Sequence, residues 1–414
     1  MNCVRSCGAR FAALALALVV SVAPSSLVTA QGSNAPVPAD PSATNRVVAS
    51  LTCQEVSHTI LTWGVSVQNQ TAPFAKEPSL AAGKIQRGRL DFRPRREPAL
   101  GFIWDPPQAK LYLDINGNDD LTDDTNGVFT CRTKSSDERY QLFTDIRLAA
   151  QTNPAASPLL LDLNFRQYSS LYVSASLRSF YAGKTTLADR DWQVGIIEKP
   201  YSDPNSLRDA SLLFRSWDSR TQAFGADDGR LQAFPLPKTL CFGGHSYRVT
   251  ATWESATEAK GVRLEFAEEP VPLGGLKING DYIRRALLMD ASRTVVLDAP
   301  TGTVPVPVGS YTSYQVHLQQ SESSASLKDS FSHRGVTSTI TVQSNKPGTL
   351  VAGGPLTNTV TLRRRGNLLV MEHRVVGAGG EAYQLDGGAN YEHPPTFAVF
   401  SGEKRLATGK FEFG

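Results

Sequence analysis

The chain has 414 residues, with 42 Lys and Arg against 39 Asp and Glu for a formal charge of +3, 41% hydrophobic residues and five cysteines. So even a charge balance gives no electrostatic case for a nucleic-acid partner or an anionic membrane surface, and so few cysteines exclude a disulfide-built scaffold. A chain of this length exceeds what one hydrophobic core usually supports, so several domains are expected.

Arg5 and Arg10 precede the apolar run FAALALALVVSVA, and the small residues Val28-Thr29-Ala30 stand before Gln31. Residues 1–30 thus have the form of a secretory signal peptide, and the mature chain is expected to act outside the cytoplasm, in the extracellular space or the periplasm. Cys3 and Cys7 lie ahead of the apolar run, where no lipid would be attached. No later stretch approaches the roughly 20 apolar residues of a spanning helix, so no membrane span is expected. Loss of the leader removes Arg5, Arg10 and no acid, which brings the formal charge to +1. It leaves Cys53, Cys131 and Cys241. These allow at most one intramolecular bridge, with Cys53–Cys131 preferred because both fall in the first β-rich block; three reduced cysteines are the alternative.

A Pro/Ser/Ala/Asn-rich linker covers residues 31–50. Beyond it, apolar residues alternate or cluster in short runs bounded by Gly, Pro, Asn and Asp, as in LYLDI, HSYRVTATW, TVVLDAP and NLLVMEHRVV. That period predicts an all-β chain: several small β-sandwich domains, Ig-like or prealbumin-like, in tandem and with very little helix. The one helical candidate, IRRALLMDA, also fits a strand with a bulge. Residues 51–150 form a β-rich block that holds an acidic loop, and 151–269 a second block ending in a hairpin whose turn is Phe242-Gly243-Gly244-His245. Residues 270–318 form a third block in which Tyr314, Val316 and Leu318 share one strand face and Gln315 and His317 the other. A polar linker or loop, 319–334, leads to a C-terminal sandwich over 335–414. The second block reads as a degenerate copy of the first, SLLFRSWDSRTQAF standing where LYLDINGNDDL stands, with Asp218 kept and Arg220 in the place of Asn116.

LYLDINGNDDLTDD gathers five aspartates and two asparagines in the eleven residues from 114 to 124. A calcium loop needs hard oxygen ligands at alternate positions, in the pattern D-x-[DN]-x-[DN]-G-x5-E. Asp114, Asn116 and Asn118 fill its first, third and fifth places. Asp120 would give its carbonyl at the seventh, and Thr122 a hydroxyl or a held water at the ninth. Asp119 replaces the turn glycine and Thr125 the terminal Glu, so Asp123 or Asp124 would supply the last carboxylate. The flanks are strands, which makes this a lone structural loop of the dockerin or thrombospondin-repeat kind. Two other readings stand beside calcium. Lys84, Arg87, Arg89, Arg93, Arg95 and Arg96 could neutralise the loop internally, or the loop could present its charge to a partner protein.

The order of a D-x-N-x-N loop, the FGGHSYRVTATW hairpin and VPVGSYTSYQVHL resembles secreted β-rich proteins of environmental bacteria that read LDxNGDG, LGGKxYxV and VPVGxY. The resemblance spans about residues 110–318. Its third part is similar to carboxypeptidase-regulatory-like or prealbumin-like sandwiches, and it implies a fold and a location without an activity. Asp119 departs from the family's loop glycine.

No catalytic motif emerges. His58, His245, His317, His333, His373 and His393 have no metal-ligand spacing, and no nucleophile elbow or phosphate loop occurs. Glu268 or Glu269 with Asp298 could in principle form an acid pair for glycoside chemistry. Arg363-Arg364-Arg365 reads as a solvated hairpin tip, GAGG at 377–380 and Gly387-Gly388 as turns. Trp63, Trp104, Trp192, Trp217 and Trp253 read as core residues rather than sugar-stacking platforms. The expected function is therefore a secreted, non-catalytic binding or structural module with a structural calcium ion. Its partner would be an unidentified protein or carbohydrate. The alternative is a secreted carbohydrate-active hydrolase or a carbohydrate-binding module.

Overall fold

A computed structural model of the chain describes residues 45–80, 84–132, 138–150, 153, 156–217, 233–255, 260–321, 323–327, 339–366, 368–385 and 394–411. The expected leader, the linker up to residue 44, part of the 319–334 linker, Asp218, Arg220, His333, His393 and Gly387-Gly388 lie outside them.

In chain order the strands are β1 (Arg46–Glu55), β2 (Leu61–Asn69), β3 (Gln86–Asp91), β4 (Leu100–Asp105), β5 (Lys110–Leu113), β6 (Val128–Thr130), β7 (Tyr140–Leu148), β8 (Leu159–Gln167), β9 (Leu171–Leu177) and β10 (Ser179–Leu187). Next come β11 (Arg190–Ile197), β12 (Ser211–Ser216), β13 (Ala233–Pro235), β14 (Thr239–Phe242), β15 (His245–Ser255), β16 (Lys260–Glu268), β17 (Leu273–Asn279), β18 (Ile283–Met289), β19 (Arg293–Asp298) and β20 (Thr303–Pro307). The last are β21 (Gly309–Tyr311), β22 (Ser313–Gln320), β23 (Ser323–Leu327), β24 (Ile340–Val342), β25 (Gly348–Val351), β26 (Thr357–Arg365), β27 (Leu368–Val376), β28 (Ala382–Leu385), β29 (Thr396–Ser401) and β30 (Lys404–Lys410). The protein is all-β: among the described residues the only helical turn is a 3₁₀ turn at Thr125–Gly127. IRRALLMDA forms β18, and its pairing with β22 slips between Ile283 and Arg285, so the bulged strand is the form it takes.

Eight strands form one sheet in the order β6-β5-β4-β3-β2-β9-β8-β7. Fifteen form another, β13-β12-β11-β10-β1-β16-β15-β14-β19-β18-β22-β23-β28-β27-β26, so strands from every β-rich block meet in it. The strand alternation shows how one sheet can serve three cores. On β10 and β12, Tyr181, Leu212 and Phe214 enter one cluster, while Phe180 and Leu213 enter the core shared with the eight-stranded sheet. On β14, β18 and β19, Leu240, Phe242, Leu287 and Val296 join that same first cluster. Cys241, Ala286, Leu288 and Val295 face a third core, with β17, β20 and β25 contributing Leu276, Val306 and Leu350.

The sheet also curls onto itself. Phe242 of β14 lies 4.7 Å from the Trp192 ring of β11 and 5.0 Å from Phe214 of β12, although several strands separate them in the sheet order. Arg285 of β18 donates from Nη1 to the Phe214 carbonyl at 2.6 Å, tying the two arms of the curl. Fully burying side chains of this size contributes roughly 1.5–3 kcal/mol each.

Other sequence expectations are met locally. Gly243 and Gly244, at φ +56° and +84°, make the tight turn between β14 and β15. Gly377–Gly380 turns β27 into β28 with the Gly380 N–H on the Gly377 carbonyl. Val316 and Leu318 are buried on one face of β22, with Tyr314 packed beside them. The bridge preferred from sequence is not formed. Cys53 packs at the first cluster and Cys131 at the second, and the three cysteines are thiols.

Candidate functional site

The acidic loop joins β5 to β6, and two apolar side chains hold it in place. Leu121 is 2% exposed in a small cluster with Phe74, Ile103 and Tyr112, and Ile115 packs at the core of the eight-stranded sheet. The side chains of Asp114, Asn116, Asn118 and Asp120 each turn the backbone that follows them. Asp114 is fully buried. Its Oδ1 accepts the N–H groups of Gly117 at 2.8 Å and Asn118 at 3.1 Å, and its Oδ2 that of Asp119 at 3.2 Å. Asn116 Oδ1 accepts from the Asn118 N–H at 3.0 Å, and Asn118 Oδ1 from that of Asp120 at 2.8 Å. Asp120 Oδ1 accepts from the backbone N–H and the hydroxyl of Thr122. Such local bonds are why Asp and Asn suit tight loops.

Asp119 stands at φ +64°, the left-handed conformation that a turn glycine would supply, and Asp and Asn enter it more readily than other side-chain-bearing residues. The residue that departs from the sequence pattern therefore still makes the turn. Asp124, 8% exposed, folds back so that its carboxylate accepts from the N–H groups of Ile115 at 3.0 Å and Asn116 at 3.2 Å. Asp123 accepts from the side-chain amides of Asn116 at 3.1 Å and Asn118 at 2.8 Å. All seven residues proposed from the sequence thus lie in one closed loop.

Among the described residues, three cations touch this loop. Lys76 Nζ donates to Asp120 Oδ2 at 2.6 Å, Arg89 Nη2 to Asp119 Oδ1 at 2.6 Å, and the buried Arg96 donates from Nη2 to the carbonyls of Asp114 at 2.9 Å and Ile115 at 2.7 Å. Of the basic segment expected to neutralise the loop, Arg89 and Arg96 bond it among the described residues. Arg87 pairs with Glu77, Arg93 with Asp91 and Arg95 with Glu198. Lys76 was missed because it lies well upstream of that segment; a parallel bridge between Lys76 and Asp120 brings it across.

The electrostatics follow these contacts. The Lys76 ammonium, assisted by the Thr122 hydroxyl, holds the Asp120 carboxyl down at about 2. Burial pushes Asp124 up, and the neighbouring Asp114 and Asp123 add to the rise against its backbone donors. Burial lowers Arg96, while Asp114 and Asp124 pull it the other way. The loop can present carboxylate, amide and carbonyl oxygens, the donor set of a hard cation. Among the described residues no three His, Cys, Asp or Glu side chains converge on one point, so such an ion would also draw on the amide oxygens of Asn116 and Asn118.

The other candidates are engaged elsewhere. Glu268 contacts His245 at 2.9 Å, Glu269 Arg248 at 3.1 Å, and Asp298 is held by Arg285. Trp104 and Trp192 are buried, and Trp63, Trp217 and Trp253 are half-buried. Arg363, Arg364 and Arg365 sit on the exposed end strand β26. No protein-family model matches the sequence, and no curated protein or solved structure matches it.

Proposed function

We propose that the chain is a secreted, non-catalytic β-sheet protein, an extracellular binding or structural module, whose 114–124 loop takes up one calcium ion as a structural fastener. One observation carries the ion. The loop has five carboxylates, and among the described residues three cationic side chains touch it, Lys76, Arg89 and Arg96. Two negative charges are left over, which a single divalent cation balances. Asp114 and Asp124 are buried close enough to repel one another, and like charges in a poorly solvated place raise the free energy of the folded state. Calcium would reduce that repulsion, with Asn116 and Asn118 turning their amide oxygens toward it.

At millimolar calcium and a dissociation constant of about 10⁻⁴ M, typical of the tighter extracellular modules, mass action stabilises the fold by roughly 1.4 kcal/mol. The test is thermal unfolding of protein beginning at Gln31, with calcium and with a chelator. A calcium-dependent rise that Asp114→Ala abolishes is expected. Melting that ignores calcium would leave Lys76, Arg89 and Arg96 as the loop's whole neutralisation and end the calcium proposal.

A carbohydrate-binding role is favoured by a separate observation. Trp63, Tyr201, Asp91 and Arg93 line an open cleft of about 590 Å³, with Tyr201 55% exposed and the Asp91–Arg93 pair at 2.6 Å beside it. Ring faces next to a polar fork suit a sugar ring. Affinity electrophoresis through soluble polysaccharides should retard the protein, and Tyr201→Ala should restore its mobility; unretarded migration through all of them rejects this reading.

A further inference from the structure

We propose that the open edge of β15 binds an extended acidic peptide as an added strand. β15 pairs with β16 from Tyr247 to Ser255, but with β14 only from His245 to Arg248. An antiparallel strand sends its hydrogen bonds to its two sides alternately. On the β16 side the Ser246 carbonyl accepts from the Glu269 N–H at 2.8 Å, and on the β14 side the Val249 N–H donates to the Lys238 carbonyl at 2.9 Å. Ala251 and Trp253 follow Val249 in that alternation. Their N–H and C=O groups therefore point to the side where no strand of the described residues pairs with them. An unpaired strand edge is a template for another chain.

This edge also lies in a depression. It lines a cavity of about 770 Å³, whose other walls include Leu207, Arg208, Lys238, Asp290, Arg293 and Ser313. The volume is within the range of ligand pockets. The sheet leaves the gap where β14 begins, since the N–H groups of Lys238 and Thr239 both turn to the Ser292 carbonyl before β19. A strand laid there would receive main-chain hydrogen bonds from Ala251 and Trp253, the source of affinity in strand addition, while the cavity takes alternate side chains.

The charge on the walls selects the occupant. Asp290 pairs with Arg293 at 3.7 Å and also caps its own turn by accepting from the Ser292 and Arg293 N–H groups. Arg208 and Lys238 are exposed and lack an acidic partner among the described residues. Two unbalanced cations beside an open strand edge fit a peptide with acidic side chains. The site is in the fifteen-stranded sheet and stands independently of the calcium loop between β5 and β6.

The test titrates a fluorescein-labelled peptide of alternating glutamate and valine into the full mature chain by fluorescence polarisation. A lysine–valine peptide and an acidic peptide N-methylated at alternate residues are the controls. Saturable binding of the acidic peptide alone is expected, weakened at least about tenfold, or 1.4 kcal/mol, by Ala251→Pro and by the pair Arg208→Glu and Lys238→Glu. The proline removes an N–H that points away from β16, a position that edge strands tolerate. Circular dichroism reports whether the sheet is intact, and the charge reversals give an independent reading on exposed side chains. The proposal is overturned if the acidic peptide does not bind at millimolar concentration, if the N-methylated peptide binds equally well, or if an acidic oligosaccharide binds there and the peptide does not.

Discussion

Arg96 donates from Nη2 to the backbone carbonyl of Asp114 at 2.9 Å, so a buried guanidinium grips the acidic loop at its first residue. A second bond from the same nitrogen reaches the Ile115 carbonyl at 2.7 Å. Hydrogen bonds from charged groups are worth about 1.5–3 kcal/mol each. Arg96→Met is therefore expected to destabilise the fold by about 3 kcal/mol in urea unfolding. Arg93→Met, which breaks a solvent-exposed pair with Asp91, should leave the unfolding midpoint nearly unchanged.

Asp119 at φ +64° makes a separate prediction about backbone strain. A β-branched residue is poorly accommodated there, and such strain costs of order 1–3 kcal/mol. Asp119→Val should lower the melting temperature accordingly. Asp119→Gly should be nearly neutral, because relief of strain offsets the lost pair with Arg89. Equal melting of the two variants would contradict a conformational role for this residue.

The loop should weaken in acid through Asp120. Its folded carboxyl titrates at about 2 against an ordinary 3.8. A depressed value means that the folded state prefers the ionised form, so this contribution is complete above about pH 4. It is lost as the pH falls through about 2. Carboxyl chemical shifts followed between these limits should show Asp120 titrating late, and Lys76→Met should return it toward the ordinary range.

Arg95 and Glu198 form an ion pair with side chains 0% and 3% exposed, and Arg95 also donates to the Ser157 carbonyl at 2.9 Å. Burial nonetheless pushes the Glu198 carboxyl up. Removing one partner strands the other, so Glu198→Ala should cost about 3–5 kcal/mol, whereas the double change Arg95→Met with Glu198→Leu should cost far less. A double-mutant cycle by urea unfolding measures the difference.

How far the sequence could be read depended on the range of each interaction. Alternation in stretches such as HSYRVTATW and TVVLDAP identified strands because side-chain period is a local property, and the Gly243-Gly244 turn was legible for the same reason. The loop's seven oxygen-bearing residues were also found, since Asx turns act over a few positions. The partition of cations was not legible. Arg87, Arg93 and Arg95 carry the same charge as Lys76 and stand nearer the loop in sequence, and only long-range backbone pairing decides that Lys76 reaches it. The curl that brings Phe242 against Trp192 is likewise set by the sheet order, which no local pattern encodes.

Calcium binding by the 114–124 loop is tested most directly by titrating calcium into isotope-labelled mature protein and following the backbone amide resonances of Gly117, Asn118 and Asp119, the three N–H groups held by Asp114. The expected result is a saturable shift confined to this loop, with a dissociation constant of about 10⁻⁴ to 10⁻³ M, absent in Asp114→Ala and not reproduced by magnesium. Amide resonances that stay fixed through that whole range, or that drift without saturating, would contradict it.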